Sequence, residues 1–229
     1  MTVTSSPAPT ALITGASRGL GAAIARELAA THDLLLGARS GAALAPILAE
    51  LPGATGWPVA LTDYPAVAAA AEPIGRLDAL VHNAGIADLG TVAESSVEQW
   101  RSTLEVNLIA VAELTRVLLP ALRAANGHVV LINSGAGLRA NAGWASYAAS
   151  KFGLRAFADA LRLEEPNIRV TSIFPGRIDT DMQREIIAGE GREYRPEEFL
   201  TPETVAGAVR TALDTPRDAH PTEIVLRPY

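Results

Sequence analysis

A chain of 229 residues with 48% hydrophobic and 19% charged side chains has globular composition and length enough to bury a core in one domain. Its net charge of -6 argues against a nucleic-acid or polybasic membrane surface. The absence of cysteine excludes disulfides and thiolate metal sites, and no metal is expected.

Residues 1–9, polar with two prolines, read as a frayed tail, and residues 10–229 as one domain. The opening MTVTSSPAPT lacks the basic-then-apolar order of a secretory signal. The apolar stretch Leu108 to Leu122 contains Glu113, Arg116 and Pro120, so it is not a membrane span. The expected location is cytoplasmic. From Thr10 onward, short apolar runs bounded by turn residues predict strands at Ala11–Thr14, Leu34–Gly37, Gly56–Ala60, Ala79–His82, Val129–Asn133, Val170–Phe174 and Glu223–Leu226. Helix-length segments lie between them at Gly19–Ala30, Ala42–Glu50, Tyr64–Glu72, Val97–Ala125, Ala145–Leu163 and Pro202–Asp214. This alternation predicts an α/β fold: one doubly wound Rossmann-type domain with a seven-stranded parallel sheet and helices on both faces. The stretch Ile178–Leu200, with Gly189, Gly191 and many charges, breaks the rhythm and reads as a mobile excursion beside a site.

The first predicted strand runs into Thr14-Gly15-Ala16-Ser17-Arg18-Gly19-Leu20-Gly21. Glycines at 15, 19 and 21 permit a tight turn, close approach to a pyrophosphate and close packing of the next helix, whose N-terminus offers unpaired N–H groups to an anion. The second strand ends Gly37-Ala38-Arg39. A carboxylate there would bind the ribose hydroxyls of NAD; Ala38 with Arg39 and the nearby Arg18 instead favours the extra phosphate of NADP.

Tyr147 and the chain's single lysine, Lys151, stand at i and i+4 and so share one face of the predicted helix. Eighteen arginines surround that lone lysine in the composition. An ammonium beside a phenol favours phenolate, and its compact charge suits a ribose hydroxyl better than a forked guanidinium does. Ser134 follows the strand Val129–Asn133, at the carboxyl end of the sheet where such folds hold ligands, and its hydroxyl can donate to a substrate carbonyl.

These features together resemble the short-chain dehydrogenase/reductase family: TGxxxGxG at 14–21, HNAG at 82–85, Asn107 in EVNL, Ser134, YAASK at 147–151 and PGRIDT at 175–180. The resemblance spans Thr10 to Pro228 and implies an enzyme using NADP(H) on a carbonyl or secondary alcohol. It implies that Tyr147 is the general acid/base and that Ser134 orients and polarises the carbonyl. Lys151 would bind the nicotinamide ribose and lower the tyrosine pKa, while the Asn107 backbone would hold a relay water. Asn83, Ala84 and Gly85 would support the sheet and line the adenosine side. Pro175, Gly176, Ile178 and Thr180 would contact the nicotinamide, and His82 would be structural.

In Ala60-Leu61-Thr62-Asp63, Ala60 replaces the Asp or Asn that would accept from the adenine amino group, leaving the Leu61 backbone as the adenine contact. Little chain follows the last strand to close a pocket. Ala136, Leu138, Trp144, Met182 and Ile186 suggest an apolar substrate site, with Arg139 either a cation for an anionic substrate or a solvated surface residue. The resemblance also implies a homodimer or homotetramer through the helices Val97–Ala125 and Ala145–Leu163, which carry Phe152 and Phe157 beyond one apolar face. Two other readings are a non-catalytic dinucleotide sensor, which need not keep the four polar residues together, and an enoyl reductase. In enoyl reductases of this family six residues usually separate tyrosine and lysine, whereas only three do here.

Overall fold

A computed structural model describes residues 8–229. Of the tail expected over 1–9, only Ala8 and Pro9 fall within the described residues, and both are exposed and irregular. The apolar runs form β1 (Thr10–Ile13), β2 (Asp33–Ala38), β3 (Thr55–Pro58), β4 (Ala79–His82), β5 (His128–Ile132), β6 (Arg169–Pro175) and β7 (Glu223–Leu226). Between them come α1 (Gly19–Leu28), α2 (Gly41–Glu50), α3 (Tyr64–Ala71), α4 (Val97–Leu104), α5 (Ala110–Ala125), α6 (Ala145–Glu164), α7 (Asp181–Gly189) and α8 (Pro202–Asp214).

All neighbours in the sheet pair in parallel, in the order β3-β2-β1-β4-β5-β6-β7. Successive side chains alternate between the two faces, so each central strand feeds two cores. Ile13, Val81, Val130 and Ile173 pack with Ile24 of α1 and Val205 and Val209 of α8. Leu12, Leu80, Val129 and Leu131 pack on the other face with Leu114 and Leu118 of α5 and Leu154 of α6. That two-sided burial explains why the central runs are continuously apolar rather than alternating. Strand order reverses between β1 and β4, paired Ile13 to Val81, and a crevice opens at such a switch point beyond the carboxyl ends.

Two elements differ from the sequence reading. The segment Val97–Ala125 is helical throughout but contains a π turn at Glu105–Ile109, invisible to apolar periodicity. Such turns insert one residue into the helix and often accompany functional sites. The excursion Ile178–Leu200, which lies beside the cavity as expected, holds a helix that the sequence reading did not assign: α7, capped by the Thr180 hydroxyl accepting from the Gln183 N–H at 3.3 Å. Ile187 and Gln183 bury the inner face of α7, and main-chain bonds from Asp179 to Leu200 (2.8 Å) and from Leu200 to Arg177 (2.9 Å) clasp the segment's ends. Its buried face carries no charge, while Asp181 lines the cavity and Arg184 and Glu185 are exposed, which is why composition concealed the helix.

Candidate active site

A cavity of about 690 Å3 runs along the carboxyl ends of the strands across the switch point. Its floor at one end is the glycine turn. Gly15 and Gly19 have φ of 65° and 54°, left-handed conformations that glycine adopts without steric cost. A Cβ on Gly15 would lie 3.0 Å from the Ala84 Cα, and one on Gly19 would point across the groove to within 3.6 Å of the Thr180 methyl. The turn is therefore a cradle that side chains at these positions would fill. Gly21 lies beneath the wall rather than on it: a Cβ there would meet the Gly15 carbonyl oxygen at 2.1 Å, so it serves close packing of α1. Asn83 fixes the turn to β4. Its Nδ2 donates to the Thr14 and Gly15 carbonyls at 3.0 and 3.1 Å, while the Asn83 and Ala84 N–H groups donate to the Thr14 hydroxyl.

Ser17, Arg18 and Leu20 from the turn, Ala38 at the end of β2 with Arg39 after it, and Ala60, Leu61 and Thr62 after β3 line the same end. No carboxylate of the described residues stands within 4.0 Å of Arg39; the exposed Arg18 pairs with Asp181 at 3.2 Å. A dinucleotide fits this lining: glycines for close approach, the N-terminus of α1 for a diphosphate, and two guanidiniums where the adenosine end would lie.

The other end gathers the polar residues. Ser134, Tyr147 and Lys151 line one wall, with Gly85, Pro175, Gly176, Ile178 and Thr180 around them. Lys151 is 6% exposed; its Nζ donates to the Ile132 carbonyl at 3.0 Å and lies 5.7 Å from the Tyr147 ring centre. Asn107 stands behind the wall, fully buried in the π turn. Its Oδ1 accepts from the Ile86 N–H at 2.9 Å, and its Nδ2 donates to the Ile86 carbonyl (2.9 Å) and the Ser150 hydroxyl (3.1 Å). The side chain thus ties the loop after β4 to α6.

Burial raises the Tyr147 phenol above its usual value of 10, and the Ser134 hydroxyl pulls in the opposite direction. Burial also lowers the Lys151 ammonium to about 8. Desolvation is the largest influence on both groups, and for the phenol it opposes the lowering expected from Lys151. His82 is buried, bonded through Nε2 to the Thr115 hydroxyl at 2.9 Å, and held neutral with a pKa of about 3 by burial. It lies off the cavity wall.

Of the expected substrate residues, Ala136, Trp144, Met182 and Ile186 line the cavity, and Arg139 stands with them. Leu138 does not: the 3-10 turn Gly135–Gly137 bonds its N–H back to the Gly135 carbonyl at 3.1 Å, leaving it off the wall. Trp144 packs edge-on to Tyr147, with ring centres 5.7 Å apart.

Sequence reading missed two contributors. Asn133, taken as a strand end, accepts from the Ser134 N–H at 2.9 Å and donates to the Lys151 carbonyl at 3.1 Å, coupling the serine loop to the tyrosine–lysine helix. Its signal was an asparagine closing an otherwise apolar strand. Arg227 reaches the cavity from the segment after β7, and Pro228 packs where a Gly176 Cβ would lie 2.7 Å away. Of the few residues after the last strand, Arg227 lines the cavity.

A family model for short chain dehydrogenase matches residues 9–191. The chain is 40% identical over 201 residues to trans-4-hydroxycyclohexanecarboxylate dehydrogenase of Sinomonas cyclohexanicum, covering 80% of this chain and 77% of that protein. It is 36% identical over 183 residues to 3-oxoacyl-(acyl-carrier-protein) reductase of Escherichia coli, covering 76% and 75%. Among solved structures, an alcohol dehydrogenase of the archaeon Thermococcus sibiricus, complexed with 5-hydroxy-NADP, superposes with a TM-score of 0.85 at 31% identity over 96% of both chains. A metagenomic short-chain oxidoreductase complexed with NADP superposes at 0.82 with 30% identity, over 97% of this chain and 98% of that one.

Proposed function

The chain belongs to the short-chain dehydrogenase family, and we propose that it moves a hydride between NADP(H) and the carbonyl or secondary alcohol of a small, largely apolar substrate. It is an oxidoreductase of the CH–OH and C=O class. The observation carrying the finer reading is that Ser134, Tyr147 and Lys151 share a wall of the cavity whose far end is the glycine cradle with Arg39.

When bound, the nicotinamide supplies or receives the hydride. The Ser134 hydroxyl donates to the substrate carbonyl oxygen and stabilises the negative charge that develops there. Tyr147 gives its phenolic proton to that oxygen in reduction and takes it back in oxidation. Lys151, aimed by the Ile132 carbonyl, offers its remaining donors to the ribose and steadies the phenolate. Asn107 positions α6 through Ser150 and, through the π turn around it, the backbone expected to hold a relay water. Arg39 and Arg18 receive the adenosine phosphate. The absence of a carboxylate at Ala38 supports this, as do the NADP complexes among the structural neighbours. The protein is read as a cytoplasmic homodimer or homotetramer; among the described residues no helix is long and apolar enough to cross a membrane.

The test is NADPH oxidation over a panel of aldehydes, ketones, quinones and keto-esters, with Tyr147→Phe as the matched control. Consumption of NADPH that requires both a carbonyl compound and Tyr147 supports the reading; turnover equal in the variant would refute it.

A further inference from the structure

Thirteen of the eighteen arginines have a carboxylate within 4.0 Å. The exceptions among the described residues are Arg39, Arg139, Arg169, Arg217 and Arg227. Two have structural work at the opposite end of the sheet: Arg169 donates to the Leu213 and Thr215 carbonyls at the end of α8, and Arg217 to the Asn126 carbonyl after α5. The other three all line the large cavity. Arg39 belongs to its adenosine end. Arg139 and Arg227 remain without an anionic partner, at the end that holds Ser134 and Tyr147.

Both adjoin the residue after Ser134, Arg139 through its main chain and Arg227 through its side chain. The Arg139 N–H bonds to the Gly135 carbonyl at 3.1 Å, and the Arg227 guanidinium lies 3.5–3.6 Å from where a Gly135 Cβ would be. Arg227 commits Nη1 to the Phe174 and Leu226 carbonyls, both at 3.0 Å. Its Nε and Nη2 have no partner among the described residues, and that pair of parallel N–H groups is the edge a carboxylate accepts from with both oxygens. The wider lining agrees. In a chain of net charge -6, the cavity's ionised residues are Arg18, Arg39, Arg139, Lys151, Arg177 and Arg227 against Asp181 alone. A cleft lined by one sign of charge concentrates the opposite sign.

We infer that the substrate carries a carboxylate, received by Arg227 and Arg139 a few bonds from the reacting carbon. The inference takes the position of that carbon from the proposed reductase mechanism. The apolar residues Trp144, Met182 and Ile186 then cover the substrate's hydrocarbon part rather than the whole of it.

The test compares keto acids with their own methyl esters: 4-oxopentanoate, 6-oxoheptanoate and 3-oxocyclohexanecarboxylate. At least one acid is expected to show kcat/KM about tenfold or more above its ester, the range of one charge-assisted contact, with the difference in KM. Arg139→Gln and Arg227→Gln should each raise the acid's KM and erase the preference, while Arg101→Gln, on the outer surface, keeps it. Arg227→Gln also gives up two carbonyl bonds beside β7, so its melting temperature is measured alongside. Arg139→Gln has no such bonds to lose and reads the effect alone. An acid-to-ester ratio near one, or a ratio that survives Arg139→Gln, overturns the inference even with the reductase intact. If no compound oxidises NADPH, the reductase reading fails separately. Calorimetric binding of the same acids and esters, with and without NADPH, then decides: acid-selective binding lost in Arg139→Gln supports the carboxylate site, and equal or absent binding refutes it.

Discussion

Lys151→Arg changes one atom group at the chain's single lysine and tests whether a point charge is required there. The ammonium sits under the Ile132 carbonyl at 3.0 Å, 6% exposed, with the Tyr147 ring 5.7 Å away. Burial lowers its pKa from 10.5 to about 8, so holding the charge costs on the order of 3 kcal/mol. The sign follows from the direction. Below about pH 8 the lysine is charged in folded and unfolded chains alike, and the folded state bears the full penalty. Between 8 and 10.5 only the folded lysine has lost its proton, so the penalty fades and stability rises with pH relative to a Lys151→Met reference. A guanidinium cannot escape this way, because it keeps its proton at every accessible pH. Its planar fork also cannot occupy the ammonium's position without displacing a neighbour, a strain of about 1–3 kcal/mol. Lys151→Arg should therefore lose at least about tenfold in kcat, the scale of a disturbed positioning contact. The change in wild-type kcat/KM for NADPH near pH 8 should vanish in the variant. Activity across pH 6–10 with melting temperatures, beside an Arg210→Lys control, checks it. Full activity with an unchanged pH profile would show that any cation serves and that the lysine's position is incidental.

Tyr147→Phe keeps the ring edge against Trp144 and removes the proton, so turnover should fall about 10²–10⁴-fold while NADPH still quenches or shifts protein fluorescence. NADPH should be preferred to NADH by roughly ten- to a hundredfold in kcat/KM, and Arg39→Ser should remove most of that preference by raising the KM for NADPH. Equal use of both cofactors by the wild type would dismiss the role given to Arg39. Asn83→Ala deletes the bonds to the Thr14 and Gly15 carbonyls, worth about 2–3 kcal/mol together. The melting temperature should drop by roughly 5–10 °C, and NADPH should bind more weakly as the glycine turn loosens. An unchanged melting curve would mean that water replaces both bonds.

The strands, their parallel pairing and the glycine turn were legible because each leaves a local mark: a continuous apolar run, a helix-length spacer, glycines at fixed offsets. Tyr147 and Lys151 were legible as a pair because helical spacing needs no tertiary information. The π turn at Glu105–Ile109 was not, since one inserted residue leaves the surrounding apolar pattern in place. Helix α7 was hidden because Gln183 and Ile187 bury its inner face while its many charges dominate the count. Arg227 lies beyond any local rule, since it works by returning from the last strand to Gly135; the asparagine after an apolar run marks Asn133 but does not show that it joins β5 to α6. Protonation was the hardest to read. Spacing predicts that the ammonium lowers the phenol, but only burial shows that each group is first pushed toward its neutral form.

That protonation state specifies which direction of the reaction carries the pH dependence. Reduction consumes one proton, so the ratio of kcat/KM for reduction to that for oxidation must fall about tenfold per pH unit whatever the mechanism. What the site decides is which of the two moves. With the Tyr147 phenol held above 10 by burial, the free enzyme keeps the proton-donating form across the neutral range. Reduction should then be nearly flat from about pH 6 until Lys151 begins to lose its charge near 8. Oxidation, which needs the phenolate, should rise about tenfold per unit over the same interval. A Tyr147 shifted to near neutrality would give the opposite pair of curves, with oxidation level above pH 7 and reduction falling. Measuring kcat/KM in both directions on one alcohol–ketone pair separates the two cases. A reduction limb that falls from pH 7 while oxidation stays level would show that bound substrate-free enzyme already holds the phenolate, and that Lys151, not burial, governs Tyr147.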